Sequence, residues 1–158
     1  MANTKAALIN TFFYAGATCL LKVVAGLLIA QYLCRKVKSA EYLKIILFFP
    51  TLLGNVVVAI AFEKLLASGG IVNQAIALFG GEPVKWLTDS ATALITCIII
   101  DVWKGIGTAM LIYVAGISAI PSTYFEAAAI DGATPAKQFR EITLPLLVPT
   151  INSVLTLS

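Results

Sequence analysis

Long apolar stretches alternate with short polar ones along this chain, and the apolar lengths set the first expectation. A helix rising about 1.5 Å per residue needs about 20 apolar residues to cross a hydrocarbon core about 30 Å thick. Thr11 to Leu33 meets that length with Lys22 as its only charge, and predicts a first membrane span. Ile45 to Phe62 carries no charge and, with its flanks, predicts a second. Pro50, Gly54 and Asn55 interrupt it. In lipid, neighbouring helices stabilise such a site, so a kink rather than a break is expected. Ala91 to Ile120 predicts a third span, carrying Asp101 and Lys104. Ile142 to Ser158 opens a fourth apolar segment, which at helical rise reaches only about 25 Å. The pattern predicts an all-α polytopic membrane protein with three full transmembrane helices and part of a fourth, and no internal repeat or low-complexity segment is visible.

Two polar regions carry finer signals. Ser68-Gly69-Gly70 and Gly80-Gly81-Glu82-Pro83 are turn sequences. Between them Ile71, Val72, Ala75, Ile76 and Phe79 share one helical face, opposite Asn73 and Gln74. This predicts a short helix in the interface plane, with Asn73 and Gln74 toward water and Trp86 at headgroup level. In Ser122 to Glu141 the sequence reads as two short helices with a bend. Thr123 and Glu126 have capping-box spacing, which predicts a helix starting at Tyr124. Asp131-Gly132 ends it, because glycine enters the left-handed region without penalty. Thr134 caps a second helix with Pro135 at its first position, where the missing N–H does no harm. Ala127, Ala128 and Ala129 give the first helix a thin face that another backbone can approach closely.

Composition supports lipid as the solvent: 59% of the 158 residues are hydrophobic and 12% charged, against about half and a quarter in soluble domains. A net charge of +3 without a basic run does not point to nucleic acid. The absence of histidine removes Ser-His-Asp triads, histidine acid/base catalysis and most zinc sites. Cys19, Cys34 and Cys97 are far apart, form no C-x-x-C pair, and read as small buried hydrophobes. No cleavable signal peptide is evident, because the first apolar segment is too long and lacks a basic start beyond Lys5. Positive charge sets the orientation. The loop after the first span holds Arg35, Lys36, Lys38 and Lys44, and that after the third holds Lys137 and Arg140. The loop between has Lys64 and Lys85, offset by Glu63, Glu82 and Asp89. The first and third loops are therefore expected in the cytoplasm and the N-terminus outside, a start that a further span upstream would explain.

The spacing Glu126-Ala127-Ala128, three residues, Gly132, nine residues, Ile142-x-Leu144-Pro145 resembles the EAA signature of binding-protein-dependent ABC importer permeases. The extended form, with Ala129-Ile130-Asp131, Phe139 and Pro149, is similar to the carbohydrate-uptake branch, the maltose and glycerol-3-phosphate type. Other pieces agree in order, among them Asn10-Thr11, Gly26-Leu27-Leu28, Gly70-Ile71-Val72-Asn73, Val102-Trp103 and Ile120-Pro121, so the likeness covers nearly the whole chain. The resemblance implies a coupling helix that docks in a groove of a cytoplasmic ABC ATPase. Its matching positions here are Glu126, Ala127, Ala128 and Gly132, with Asp131 beside them. It also implies a second permease subunit, an extracytoplasmic solute-binding protein, a bacterial or archaeal inner-membrane location, and no cofactor. A separate reading has Glu126 capping its own helix, and the two roles are compatible. Members of the family have six spans, so the chain is read as one permease domain over 1–158, incomplete at both ends.

Lys22, Asp101 and Lys104 lie within apolar segments, where each charge costs about 2.5–3.5 kcal/mol. With Asn55 they are candidates for a polar translocation path. Against that stand local readings: Lys22 can snorkel, Asp101 can pair with Lys104 one turn away, and Asn55 and Gln31 can hydrogen-bond between helices. Three functions compete on this sequence. A permease subunit of an ATP-driven sugar importer fits the coupling motif; with no Gly-x-x-x-x-Gly-Lys-Ser/Thr loop, its ATP hydrolysis falls to another chain. An ion-coupled secondary transporter is the alternative, using Lys22 and Asp101. A membrane enzyme lacks any cluster of catalytic or metal-ligand residues.

Overall fold

The computed structural model describes residues 2–34 and 39–158. Arg35, Lys36, Val37 and Lys38, most of the basic loop expected after the first span, lie outside the described residues. Helices follow in the order α1 (Ala2–Cys34), α2 (Ala40–Leu52), α3 (Asn55–Leu66), α4 (Ile71–Leu78), α5 (Ser90–Ser118), α6 (Ser122–Ile130) and α7 (Pro135–Gln138). A π-helical turn over Phe139–Thr143, then α8 (Leu144–Leu146) and α9 (Val148–Leu157), complete the described chain. No strand occurs among the described residues.

Three stretches are long and apolar enough to cross a membrane: Ala7–Cys34, Asn55–Leu78 and Thr92–Ser118. Their most apolar windows are only 17, 11 and 28% buried, so most of their apolar surface is left to lipid or to partner chains. The second stretch differs from expectation. Instead of a kink, the chain breaks at Leu53 and Gly54, both extended, with ψ of 132° and 143°. Pro50 lies inside α2, where it removes one ladder donor, and Leu53 N–H turns back to the Pro50 carbonyl to close the helix. Asn55 to Leu78 is apolar enough over 24 residues, yet the backbone leaves the helix again at Ala67, with ψ 158°. We therefore assign the second crossing to α2 and α3 in series, about 40 Å of helix for residues 40–66, with α4 as a separate short helix.

The α1–α5 contact shows the relative direction of these helices. Gly26 faces Ala109, Lys22 lies against Gly105, and Tyr14 shares a groove with Cys97. The offset in sequence stays at 83, so α1 and α5 run parallel. In contrast, Gly107 meets Leu47 and Phe48, while the Thr51 hydroxyl donates to the Lys104 carbonyl at 2.8 Å, so α2 is antiparallel to α5. α9 is antiparallel too: Gly116 lies against Leu147 and Thr150, while Gly105 and Thr108 share a cavity with Leu157 and Ser158. Apolar contact between helices gains nothing over lipid, so close backbone packing at small residues must supply the attraction. A Cβ at Gly107 would lie 2.4 Å from the Leu47 carbonyl oxygen, and one at Gly26 3.0 Å from Ala109 Cβ. The buried centre, Ala30, Leu33, Ala109, Met110, Tyr113 and Val154, lies where α1, α5 and α9 meet.

Candidate functional site

Pro121 locks the backbone at the end of α5 and serves as N-cap of α6, so the helix starts at Ser122 rather than Tyr124. Thr123 then falls inside the first turn, and no side chain caps the helix. The expected capping box is therefore absent, and Glu126, one turn further in, is exposed with no hydrogen-bond or ion-pair partner among the described residues. The end of α6 agrees with expectation. Gly132 takes φ +74°, its N–H donates to the Ala129 carbonyl at 3.1 Å, and Ala133 N–H donates to Ala128 at 2.8 Å. These two bonds form a complete Schellman motif and fix the bend. Thr134 caps α7 through Lys137 N–H at 3.4 Å, with Pro135 at its first position.

No residue of α6 is buried. Glu126, Ala127, Asp131 and Gly132 are exposed, Ala128 is half-buried, and Ile130 is 87% exposed at the tip. This face presents a free carboxylate beside small residues, which suits a basic groove on another protein. Behind it lies a cavity of about 560 Å³ lined by Gln31, Lys44, Ser118, Phe125, Gln138 and Thr143. Gln31 thus faces the cavity and makes no interhelical hydrogen bond among the described residues.

The charges within the spans pair differently from the local reading. Asp101 pairs not with Lys104 but with Lys22 across α1 and α5, at 2.8 Å, and Lys22 is only 7% exposed, so it does not snorkel. The Lys22 stem lies over Gly105, which has no side chain to block it. Lys104 instead donates to the Asn55 side-chain oxygen at the start of α3. Asn55, Asp101 and Lys104 line one groove of about 340 Å³ with Tyr14, Phe62 and Cys97. Phe62 stacks edge-on against Trp103, ring centres 5.3 Å apart. The sequence reading missed Tyr14 and Phe62, which sit among similar apolar residues; the cross-helix ion pair had a signal in two opposite charges on neighbouring spans.

In α4, Asn73 is 2% exposed, against the expectation that it faces water. Its amide donates to the Ala67 and Val84 carbonyls, and its oxygen accepts from Val84 N–H and Trp86 Nε1, all at 3.0–3.1 Å. Its hydrogen-bonding capacity is filled by the end of α3 and by the loop that folds over α4. Gln74 is exposed as expected, and Ile71 and Phe79, expected toward membrane or protein, are 67 and 94% exposed, open to lipid or a partner chain. The Cys19, Cys34 and Cys97 thiols are free, and Cys34 and Cys97 are exposed rather than buried.

Residues 22–158 match the family described as the binding-protein-dependent transport system inner membrane component. The chain is 35% identical over 143 residues to the probable ABC transporter permease protein YesP of Bacillus subtilis (strain 168), covering 89% of this chain and 46% of that protein. It is also 35% identical over 138 residues to the trehalose/maltose transport system permease protein MalF of Thermococcus litoralis, covering 87% and 47%. The chain thus spans about half the length of these curated relatives. The crystal structure of a bacterial ABC transporter involved in the import of the acidic polysaccharide alginate matches with a TM-score of 0.87 at 28% identity, over 94% of this chain and 53% of that one.

Proposed function

Because this chain belongs to the binding-protein-dependent transport system inner membrane component family, we propose that it is part of a multi-pass permease subunit of an ATP-driven importer of sugars or sugar-like solutes. The observation that carries the reading is the α6–α7 pair. Its spaced Glu126-Ala127-Ala128…Gly132 sequence is built as an exposed, rigidly bent surface with an unpaired carboxylate. In this reading it couples to a separate ABC ATPase, with Asp131 beside the bend, and ATP hydrolysis belongs to that partner. A second permease subunit and an extracytoplasmic solute-binding protein complete the assembly in the cytoplasmic (inner) membrane. The groove lined by Asn55, Asp101 and Lys104, with Lys22 buried behind Asp101, is the proposed translocation path. Relatives named for trehalose/maltose and a structural neighbour named for alginate support a saccharide cargo.

The test is charge reversal. A charge-assisted hydrogen bond from an ATPase arginine to Glu126 is worth about 1.5–3 kcal/mol, and reversal replaces it with repulsion. Glu126→Lys in the complete permease should lower ATPase association and transport at least tenfold with normal membrane insertion, and an opposite-charge change on the ATPase should restore both. Normal association and uptake by Glu126→Lys would show that this carboxylate has no coupling role.

A further inference from the structure

Lys104 lies fourteen residues from either end of α5 (Ser90–Ser118), about 21 Å of helix each way. A lysine stem cannot reach the interface from there, and an ammonium facing hydrocarbon at mid-membrane costs about 2.5–3.5 kcal/mol. Its side chain turns into the groove, toward Asn55. Asp101, on the same wall, keeps 35% of its side-chain surface open although paired. The groove thus gathers polar groups, Asn55, Asp101 and Lys104, among apolar walls that include Val58, Ala59 and Ile100.

The charges around this groove do not cancel. Lys22 and Asp101 neutralise each other at 2.8 Å, whereas Lys104 has only the neutral Asn55 as a described partner. Among the described residues at the groove, one positive charge is left over. Asp101 has acceptor sites beyond those facing Lys22 and the Tyr14 hydroxyl, and that phenol oxygen can itself accept. Phe62, held edge-on by Trp103, adds an aromatic surface whose negative face attracts the polarised C–H groups of a sugar ring. About 340 Å³ lies within the usual size of a small-molecule site.

Taking the groove as the path of the permease proposed above, we infer that it selects a monoanionic sugar, a uronate, whose carboxylate meets Lys104 while Asp101 and Tyr14 bond its hydroxyls and Phe62 covers its ring. A carboxylate matches the single excess charge. A phosphate ester, at about −1.5 to −2, would leave negative charge uncompensated beside Asp101.

The experiment uses the complete permease with its ATPase subunits in nanodiscs of zwitterionic lipid. Equilibrium binding is measured for a uronic-acid disaccharide, the neutral disaccharide of the same linkage, and a hexose 6-phosphate. The uronate should bind at least tenfold more tightly than either other probe. Lys104→Gln should bring uronate and neutral sugar within twofold, and Lys104→Arg should keep the preference. Asn55→Asp, which sets a carboxylate beside the unaltered lysine, should abolish it as Lys104→Gln does. Equal binding of uronate and neutral sugar by the wild type, tighter binding of the phosphate, no measurable uronate binding, or a preference that survives both Lys104→Gln and Asn55→Asp overturns the charge assignment. If the ATPase subunits remain associated, the permease reading stands through all of these; a wild-type permease that holds no ATPase subunit overturns both.

Discussion

Lys22 reaches Asp101 over a glycine, and the neighbouring glycine on α5 serves a different purpose. A Cβ at Gly105 would meet the Lys22 Cε at 2.6 Å, the far end of a flexible side chain that can swing aside. A Cβ at Gly107 would meet the Leu47 carbonyl oxygen at 2.4 Å and the Phe48 Cα at 2.8 Å, so two helix backbones would have to separate. Overpacking of that kind costs about 1–3 kcal/mol. Gly107→Ala should therefore lower thermal stability in detergent more than Gly105→Ala, and the reverse order would contradict the close α2–α5 approach. The ion pair is asymmetric as well. Asp101→Asn strands a buried ammonium, whereas Lys22→Met leaves a carboxylate that is part-solvated and one turn from Lys104. Breaking a fully buried pair costs about 3–5 kcal/mol, and the partial exposure of Asp101 places this case toward or below the lower end. Thermal melts should rank Asp101→Asn as the more damaging change.

Asn73 and Gly132 each fix one element, by different means. Asn73 holds the loop over α4 through one donated and two accepted hydrogen bonds, and donates a fourth back to Ala67 at the end of α3. Asn73→Ala leaves the Val84 and Trp86 N–H groups without their acceptor, so hydrogen exchange at Val84 should accelerate at least tenfold and Trp86 emission should shift to the red. Asn73→Asp keeps an acceptor but loses both donations, and should fall between alanine and wild type. If exchange at Val84 is unchanged in Asn73→Ala, the loop is held by something else. Gly132 acts through its backbone: φ +74° costs a non-glycine residue about 1–2 kcal/mol, and a β-branched one more. Gly132→Val should impair ATPase association without being rescued by a charge change on the ATPase, unlike Glu126→Lys. Rescue of both by the same partner change would mean that the bend plays no separate part.

For the whole molecule, α5 is the common wall: Gly26 and Lys22 of α1, Leu47 and Thr51 of α2, Leu147 just before α9 and Thr150 within it all pack along it. The parallel run of α1 and α5 places Ser39, just after α1, and Lys137, just after α6, toward the same side of the bundle, while Glu82 lies in the loop before α5. In a cysteine-free background, single cysteines at Ser39 and Lys137 should label from the cytoplasm and one at Glu82 from outside. Labelling of Ser39 and Glu82 from the same side would overturn this topology.

Apolar run lengths, the loop charges, the Asp131-Gly132 stop and the Thr134-Pro135 start were all legible in the sequence, because each depends on neighbours a few residues away or on transfer to lipid. The spaced Glu126…Gly132 pattern was legible for the same reason. What tertiary structure alone decided was where polar groups found partners. Asp101 had a local choice in Lys104 and took Lys22, on another helix, because parallel packing at Gly26 and Gly105 brought Lys22 within 2.8 Å. Asn73 had a polar surface available and turned inward, because the segments on either side of α4 offered two carbonyls, Ala67 and Val84, and two N–H groups that would otherwise be unsatisfied. Local periodicity specifies a face, but which face a polar side chain uses depends on donors and acceptors that only the folded chain brings within reach.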